Sequence, residues 1–187
     1  GWKIPTSSRT MTKIRGTYHQ GFITLITEGA VSSAPSIWHL LSDDVGASVE
    51  QIENILGTFT GGAIVGRHAS DVVSLEDGTV HLFYGDTVSS DIKRASKGSP
   101  NSKFSTSPDY DTSVITDGDV DKATIVGNGL AAVVDDEGYI VLVWRRNTNL
   151  QHTGYARISP ITLTEIQDEW TSSGSTVKTN WAINHCN

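Results

Sequence analysis

Apolar positions in this chain fall in short runs that alternate or run continuously, without the three-to-four spacing of a surface helix. The clearest runs are Gly21–Thr27 (GFITLIT), Thr79–Tyr84 (TVHLFY) and Tyr139–Trp144 (YIVLVW). Each is strand-sized and follows a polar turn that ends in glycine: His19-Gln20-Gly21, Glu76-Asp77-Gly78 and Asp136-Glu137-Gly138. Only Val49–Leu56 (VEQIENIL) carries helical spacing, with apolar residues at 49, 52, 55 and 56; it is as short as a single strand, which is the preferred reading, with a helix as the alternative. The stretch Lys97–Asp121 is rich in Ser, Pro, Asp and Gly and reads as a long surface connection within one domain.

The three runs are copies of one unit. Gly21-Phe-Ile-Thr-Leu-Ile, Gly78-Thr-Val-His-Leu-Phe and Gly138-Tyr-Ile-Val-Leu-Val begin at glycines 57 and 60 residues apart. The second and third are preceded by matching strand-and-turn segments, Asp71-Val-Val-Ser-Leu-Glu-Asp-Gly and Ala131-Ala-Val-Val-Asp-Asp-Glu-Gly. All three are followed by a further strand ending at Ser: Ile37-Trp-His-Leu-Leu-Ser, Ile92-Lys-Arg-Ala-Ser and Tyr155-Ala-Arg-Ile-Ser. A fourth strand is expected near Ser48-Val49, Lys103-Phe104 and Glu169-Trp170. Four antiparallel strands repeated at a fixed period are the signature of a β-propeller blade. The expectation is an all-β fold of about three such units, near residues 21–56, 71–107 and 131–170, in a single domain over 1–187. A β-sandwich is the alternative.

Composition agrees with strands and turns. The 187 residues include 21 Ser, 21 Thr and 18 Gly, and only 19% are charged. A net charge of −7 argues against a nucleic-acid partner held by phosphate neutralisation. No stretch approaches the roughly 18 apolar residues of a membrane-spanning helix. Cys186 is the one cysteine, so the chain forms no internal disulfide. The start Gly1-Trp-Lys-Ile-Pro reads as a cut inside a longer chain or a processed terminus.

Ser42-Asp-Asp-Val-Gly-Ala-Ser-Val follows the sialidase Asp-box pattern, S-x-D-x-G-x-S/T-W, with Val49 at the Trp position. In that box the Asp caps the turn backbone between a blade's third and fourth strands. With the box, the Gly21–Gly29 segment, the Asp77-Gly78 hairpin, Tyr155-Ala-Arg-Ile, Asp168-Glu-Trp170 and Asp136-Glu-Gly-Tyr-Ile-Val-Leu resemble the later half of the propeller of phage endosialidases, over roughly residues 13–170. The resemblance implies a tailspike protein, trimeric, in a virion or extracellular setting. It also implies two arginines that clamp a sialic acid carboxylate, with a glutamate nearby. The chain departs from that pattern at each place. Ile26-Thr27-Glu28-Gly29 has a carboxylate for the first arginine, Gly85-Asp86-Thr87 replaces the second, and Lys13 falls near the glutamate's place. An acidic ligand would be repelled by Glu28 and Asp86, so cleavage of polysialic acid is not expected.

A glycosidase needs two carboxylates about 5–5.5 or 6.5–9.5 Å apart across the scissile bond. Glu28, Asp71 and Asp86 lie at strand ends that a propeller brings toward one face. Asp117, Asp119 and Asp121 alternate as weak Ca²⁺ ligands, and a solvated acidic turn is the preferred account. No zinc motif, phosphate-cradling loop or nucleophile elbow is present, and no cofactor is expected. Candidate sugar contacts are Tyr84, Arg145, Arg146, Trp38, Tyr110 and His152, at or just past strand ends. Packing between blades is the preferred reading for Trp38 and Trp144. The leading functional expectation is a non-catalytic module of a phage tail that binds a cell-surface glycan. Its alternatives are a glycoside hydrolase acting on a bacterial surface polysaccharide and a purely structural fibre domain. Because three units leave blade edges open, either further blades belong to a longer chain or copies of this one cover the edges; a homotrimer within a larger tail protein is the favoured expectation, with Lys3–Arg15 and Thr171–Asn187 as edge-covering strands.

Overall fold

The computed structural model describes residues 9–31, 34–44, 47–54, 70–85, 91–99, 101–106, 112–115, 130–145, 152–162, 165–167 and 172–173. They form three antiparallel sheets, each a meander in chain order. The first holds β1 (Arg9–His19), β2 (Phe22–Val31), β3 (Ala34–Ser42) and β4 (Glu50–Asn54). The second holds β5 (Ser70–Ser74), β6 (Val80–Gly85), β7 (Ile92–Lys97) and β8 (Thr112–Ile115). The third holds β9 (Leu130–Val134), β10 (Ile140–Arg145), β11 (His152–Ile158) and β12 (Glu165–Gln167), and the short β13 (Ser172–Ser173) also pairs with β11. Among the described residues β5 packs beside both β1 and β9, so the first strands of the sheets lie innermost, as in propeller blades.

The repeated glycines are explained by their backbone. Gly21, Gly78 and Gly138 each open the second strand of a sheet with φ of +91°, +90° and +83°, values that an L side chain resists. The second and third turns are closed alike. Leu75 N–H donates to Thr79 O (2.8 Å) and Gly78 N–H to Leu75 O (3.1 Å); Asp135 N–H donates to Tyr139 O (2.8 Å) and Gly138 N–H to Asp135 O (3.0 Å). Asp77 and Asp135 cap these turns by accepting from Thr79 N–H and from Glu137 and Tyr139 N–H. These turns define one end of the molecule, the turn end. The opposite, crossover end carries the β2–β3, β6–β7 and β10–β11 connections and the start of each first strand.

Alternation of side chains along the middle sheet fills two seams. Val72, Leu82, Tyr84 and Ala95 face the first sheet and pack with Ile26 and Phe104. Val73, Phe83 and Ile92 face the third and pack with Leu130, Leu142 and Trp144. This is why β6 is buried at all six positions and reads as a continuous apolar run. Gly154 lies opposite Trp144 in the ladder, and a Cβ there would fall 2.1 Å from the indole; the glycine makes the space the ring fills.

Residues 50–54 of the Val49–Leu56 stretch form β4, in keeping with its strand reading, and pair with β3 from Leu41↔Glu50 to Trp38↔Asn54. Three expectations change. Lys97–Asp121 is not wholly a surface connection, since it contains the buried Phe104 and strand β8. The fourth strand of the middle sheet is therefore β8, while Phe104–Thr106 form one 3-10 turn. Residues 9–15 of the expected edge-covering segment belong to β1, the first strand of their own sheet, paired from Arg9↔Val31 to His19↔Phe22. Most of the Thr171–Asn187 tail lies outside the described residues.

Candidate functional site

At the turn end the Asp-box residues behave as their pattern requires. Asp44 Oδ1 accepts from Ser42 Oγ (2.8 Å) and Ser48 N–H (2.8 Å), and Oδ2 accepts from Ser48 Oγ (2.5 Å). The Ser48 hydroxyl and amide, then Ser42, hold the Asp44 carboxyl down at about 2. Val49, in the aromatic position, is buried. The box is a structural hairpin, which leaves the crossover end as the face with chemistry to explain.

Asp71 stands at the start of β5, on the innermost strand of the middle sheet. Its Oδ1 accepts from Val72 N–H (2.9 Å) and lies 4.0 Å from Arg15 Nε on β1. Its Oδ2 accepts from Ala132 N–H (2.9 Å) on β9. One carboxylate therefore joins all three sheets at the axis, with its side chain 14% exposed and a cation beside it. Glu28 lies in the crossover half of β2, opposite Lys13 on β1 and Ile37 on β3. Asp86 directly follows β6 and lies outside the described residues.

The expected sugar contacts divide. Arg145 ends β10 and His152 begins β11, so both backbone positions are at the crossover end. Trp38 is in β3, opposite Thr27 and Asn54. Tyr84 is 1% exposed and packs in the seam with the first sheet, as Trp144 does in the seam with the third. Tyr110 and Arg146 lie outside the described residues, as do Asp117, Asp119 and Asp121. Among the described residues no group of three metal-ligating side chains converges.

The sequence reading did not single out a buried charged chain in the first seam. Lys97 Nζ is 3.0 Å from His39 Nε2, and His39 Nδ1 is 3.0 Å from Glu53 Oε1. Glu53 also accepts from Phe104 N–H (2.7 Å) and Ser105 N–H (3.3 Å), and Lys97 Nζ sits 5.3 Å from the centre of the Phe104 ring. Burial pushes Lys97 down to about 7 against the pull of Glu53. Burial also lowers His39, although its bond to Glu53 opposes this. Burial would raise Glu53, but the bonds from His39, Ser105 and Phe104 outweigh it and hold the carboxyl at about 2. No local pattern announces this cluster, because its members come from two sheets and a 3-10 turn.

No known protein-family profile matches the chain, and no curated protein sequence does. Solved structures do. An α-L-arabinofuranosidase of family GH43 from Clostridium thermocellum aligns with a TM-score of 0.58 at 15% identity, over 90% of this chain and 58% of that one. A polysaccharide lyase of family PL25, an ulvan lyase, gives 0.57 at 16% identity, over 88% and 40%. An endo-1,4-beta-xylanase from Bacteroides thetaiotaomicron gives 0.55 at 14%, over 84% and 51%. The chain thus has the fold of β-propeller blades, shared with these structures, and it spans under two thirds of the length of each of them.

Proposed function

We propose that the chain is the propeller portion of a glycoside hydrolase acting on an uncharged polysaccharide, with its active site at the crossover end of the axis. The observation that carries this is Asp71, a carboxylate fixed on the innermost strand by amides of its own and the next sheet, 4.0 Å from Arg15 of the preceding one. A carboxylate held on both oxygens is suited to orienting a sugar and stabilising positive charge at the anomeric carbon, and less to moving a proton. Glu28, in the crossover half of β2, and Asp86, which follows β6 in the sequence, are assigned the acid and base roles that glycoside cleavage requires. Carboxylates at this end disfavour a uronate or sialate in the site. Likeness to arabinofuranosidase and xylanase propellers favours hydrolysis over the phage-tail binding module, whose support is the pattern of residues around Gly21 and the Asp box.

The test is to incubate the purified protein with arabinan, xylan and polysialic acid and to identify products by mass spectrometry. Release from a neutral polymer is expected, with none from polysialic acid. Glu28→Gln should lower the rate about 10²–10⁴-fold with the fold intact. Binding of glycans without product from any neutral polymer would overturn hydrolysis in favour of the non-catalytic module.

A further inference from the structure

The face of the middle sheet that meets the third sheet changes character along its length. Its crossover half is the apolar seam of Phe83 and Ile92. In its turn half the same face carries His81 and Ser96, opposite each other in the ladder, and Arg94, opposite Phe83. A cavity of about 790 Å³ opens there between the two sheets, with these three side chains among its lining. The cavity lies at the turn end, away from Asp71, and its size falls within the roughly 300–1,000 Å³ of small-ligand clefts.

Arg94 and His81 are only 4% and 2% exposed, an unusual burial for both types. Arg94 Nη1 is 3.2 Å from His81 Nδ1. A guanidinium has donors only, so Nδ1 accepts and the imidazole proton resides on Nε2. The pair thus brings donor groups to the cavity, and Ser96 and Thr79 add hydroxyls. Above them the hairpin turns supply acceptors, the exposed Glu76 and Asp136. The neighbouring carboxylates Asp135 and Glu137 are engaged by Arg157, at 2.7 Å each. Pro160 and Ile161 form an apolar lip, with Ile161 90% exposed.

We propose that this cavity is a second glycan site, taking one or two uncharged sugar residues and serving to hold a polysaccharide rather than cut it. Donors below and acceptors above match a polyol, in which every hydroxyl both donates and accepts. The lip matches the C–H face of a pyranose. The acidic rim disfavours an anionic sugar despite Arg94. The inference stands without the hydrolytic reading, because it is read out by binding alone.

Titration of the protein with xylobiose, maltose and lactose, and with glucuronic acid as the anionic comparison, followed by NMR, tests it. At least one neutral disaccharide should saturate at millimolar concentration and shift the His81 ring and Ile161 methyl resonances. Ile161→Asp, at an exposed position where folding is unaffected, should weaken that binding by about tenfold or more. Arg94→Gln should do the same if it folds, and Glu28→Gln, at the other end, should leave it unchanged. Absence of saturation by all three disaccharides, preference for glucuronic acid, or undiminished binding in Ile161→Asp would each overturn the proposal.

Discussion

The seam between the second and third sheets is filled by Phe83, Ile92, Leu130, Leu142 and Trp144, all at most 1% exposed. The seam between the first and second has a smaller apolar cluster around Ile26, Leu82 and Phe104, and beside it the chain Lys97–His39–Glu53. Both seams join copies of one repeat, yet the crossover half of the former is held by contact area, its buried Arg94 and His81 lying in the turn half, and the latter is held partly by directed charge. Apolar contact stabilises without regard to pH or fine angle. A buried ionic chain adds little net stability over a well-packed apolar one, but it has one satisfied arrangement and a large penalty when a member is removed. The charged seam should therefore set how the first two sheets register, and it should respond to pH where the apolar seam does not.

Three variants sharpen that contrast. Truncating the largest buried ring among the described residues, Trp144→Ala, should lower the unfolding free energy by about 3–5 kcal/mol, because Gly154 opposite leaves nothing to collapse into the space. Urea titrations at pH 6 and pH 9 should give the same loss; a loss that depends strongly on pH would break the contrast.

A smaller, pH-dependent effect belongs to Lys97. Its folded-state pKa of about 7 lies below its ordinary 10.5, so across that window the unfolded chain holds a proton that the folded chain has released. Stability must then rise with pH from about 7 to 10.5, by ~2–5 kcal/mol. Lys97→Met, which removes the group that titrates, should flatten this slope. Glu53 acts in another range: its contribution is present above 4.5 and is lost as pH falls toward 2. His39, lowered by burial, adds to the loss below 6.5. Parallel pH–stability curves for the native protein and Lys97→Met would refute the assignment.

The smallest effect is expected away from both seams. Asp44→Ala removes three accepted hydrogen bonds from an exposed hairpin and should shift thermal unfolding less than either change above. Because the Asp44 pKa is lowered to about 2 from 3.8, its contribution is present above 3.8 and fades as pH falls through 2. A shift as large as that of Trp144→Ala would mean that the box, and not the seams, limits stability.

What this chain's sequence determines by itself is local. Turn glycines at 21, 78 and 138, the polar residues before them (acidic before 78 and 138) and the alternation after them specify a hairpin through neighbours within a few residues, and all three hairpins form. The Asp box is legible for the same reason, since Asp44 bonds to residues two and four positions away. Placement of the three first strands around an axis follows from the repeat, which is why Glu28, Asp71 and the end of β6 were expected at one end. Tertiary structure alone decided the rest. Strand β8 lies in a stretch poor in apolar residues and forms by pairing with β7. Tyr84 looked like a ligand contact because its strand ends beside it, but the pleat turns its ring into the first seam. Lys97 opens a stretch that reads as a surface connection, yet its ammonium meets His39, 58 residues away. Asp71 owes its position to Ala132, 61 residues on. Bonds over such separations leave no periodic trace, because they are set by how one sheet stacks on the next and not by the pattern within either.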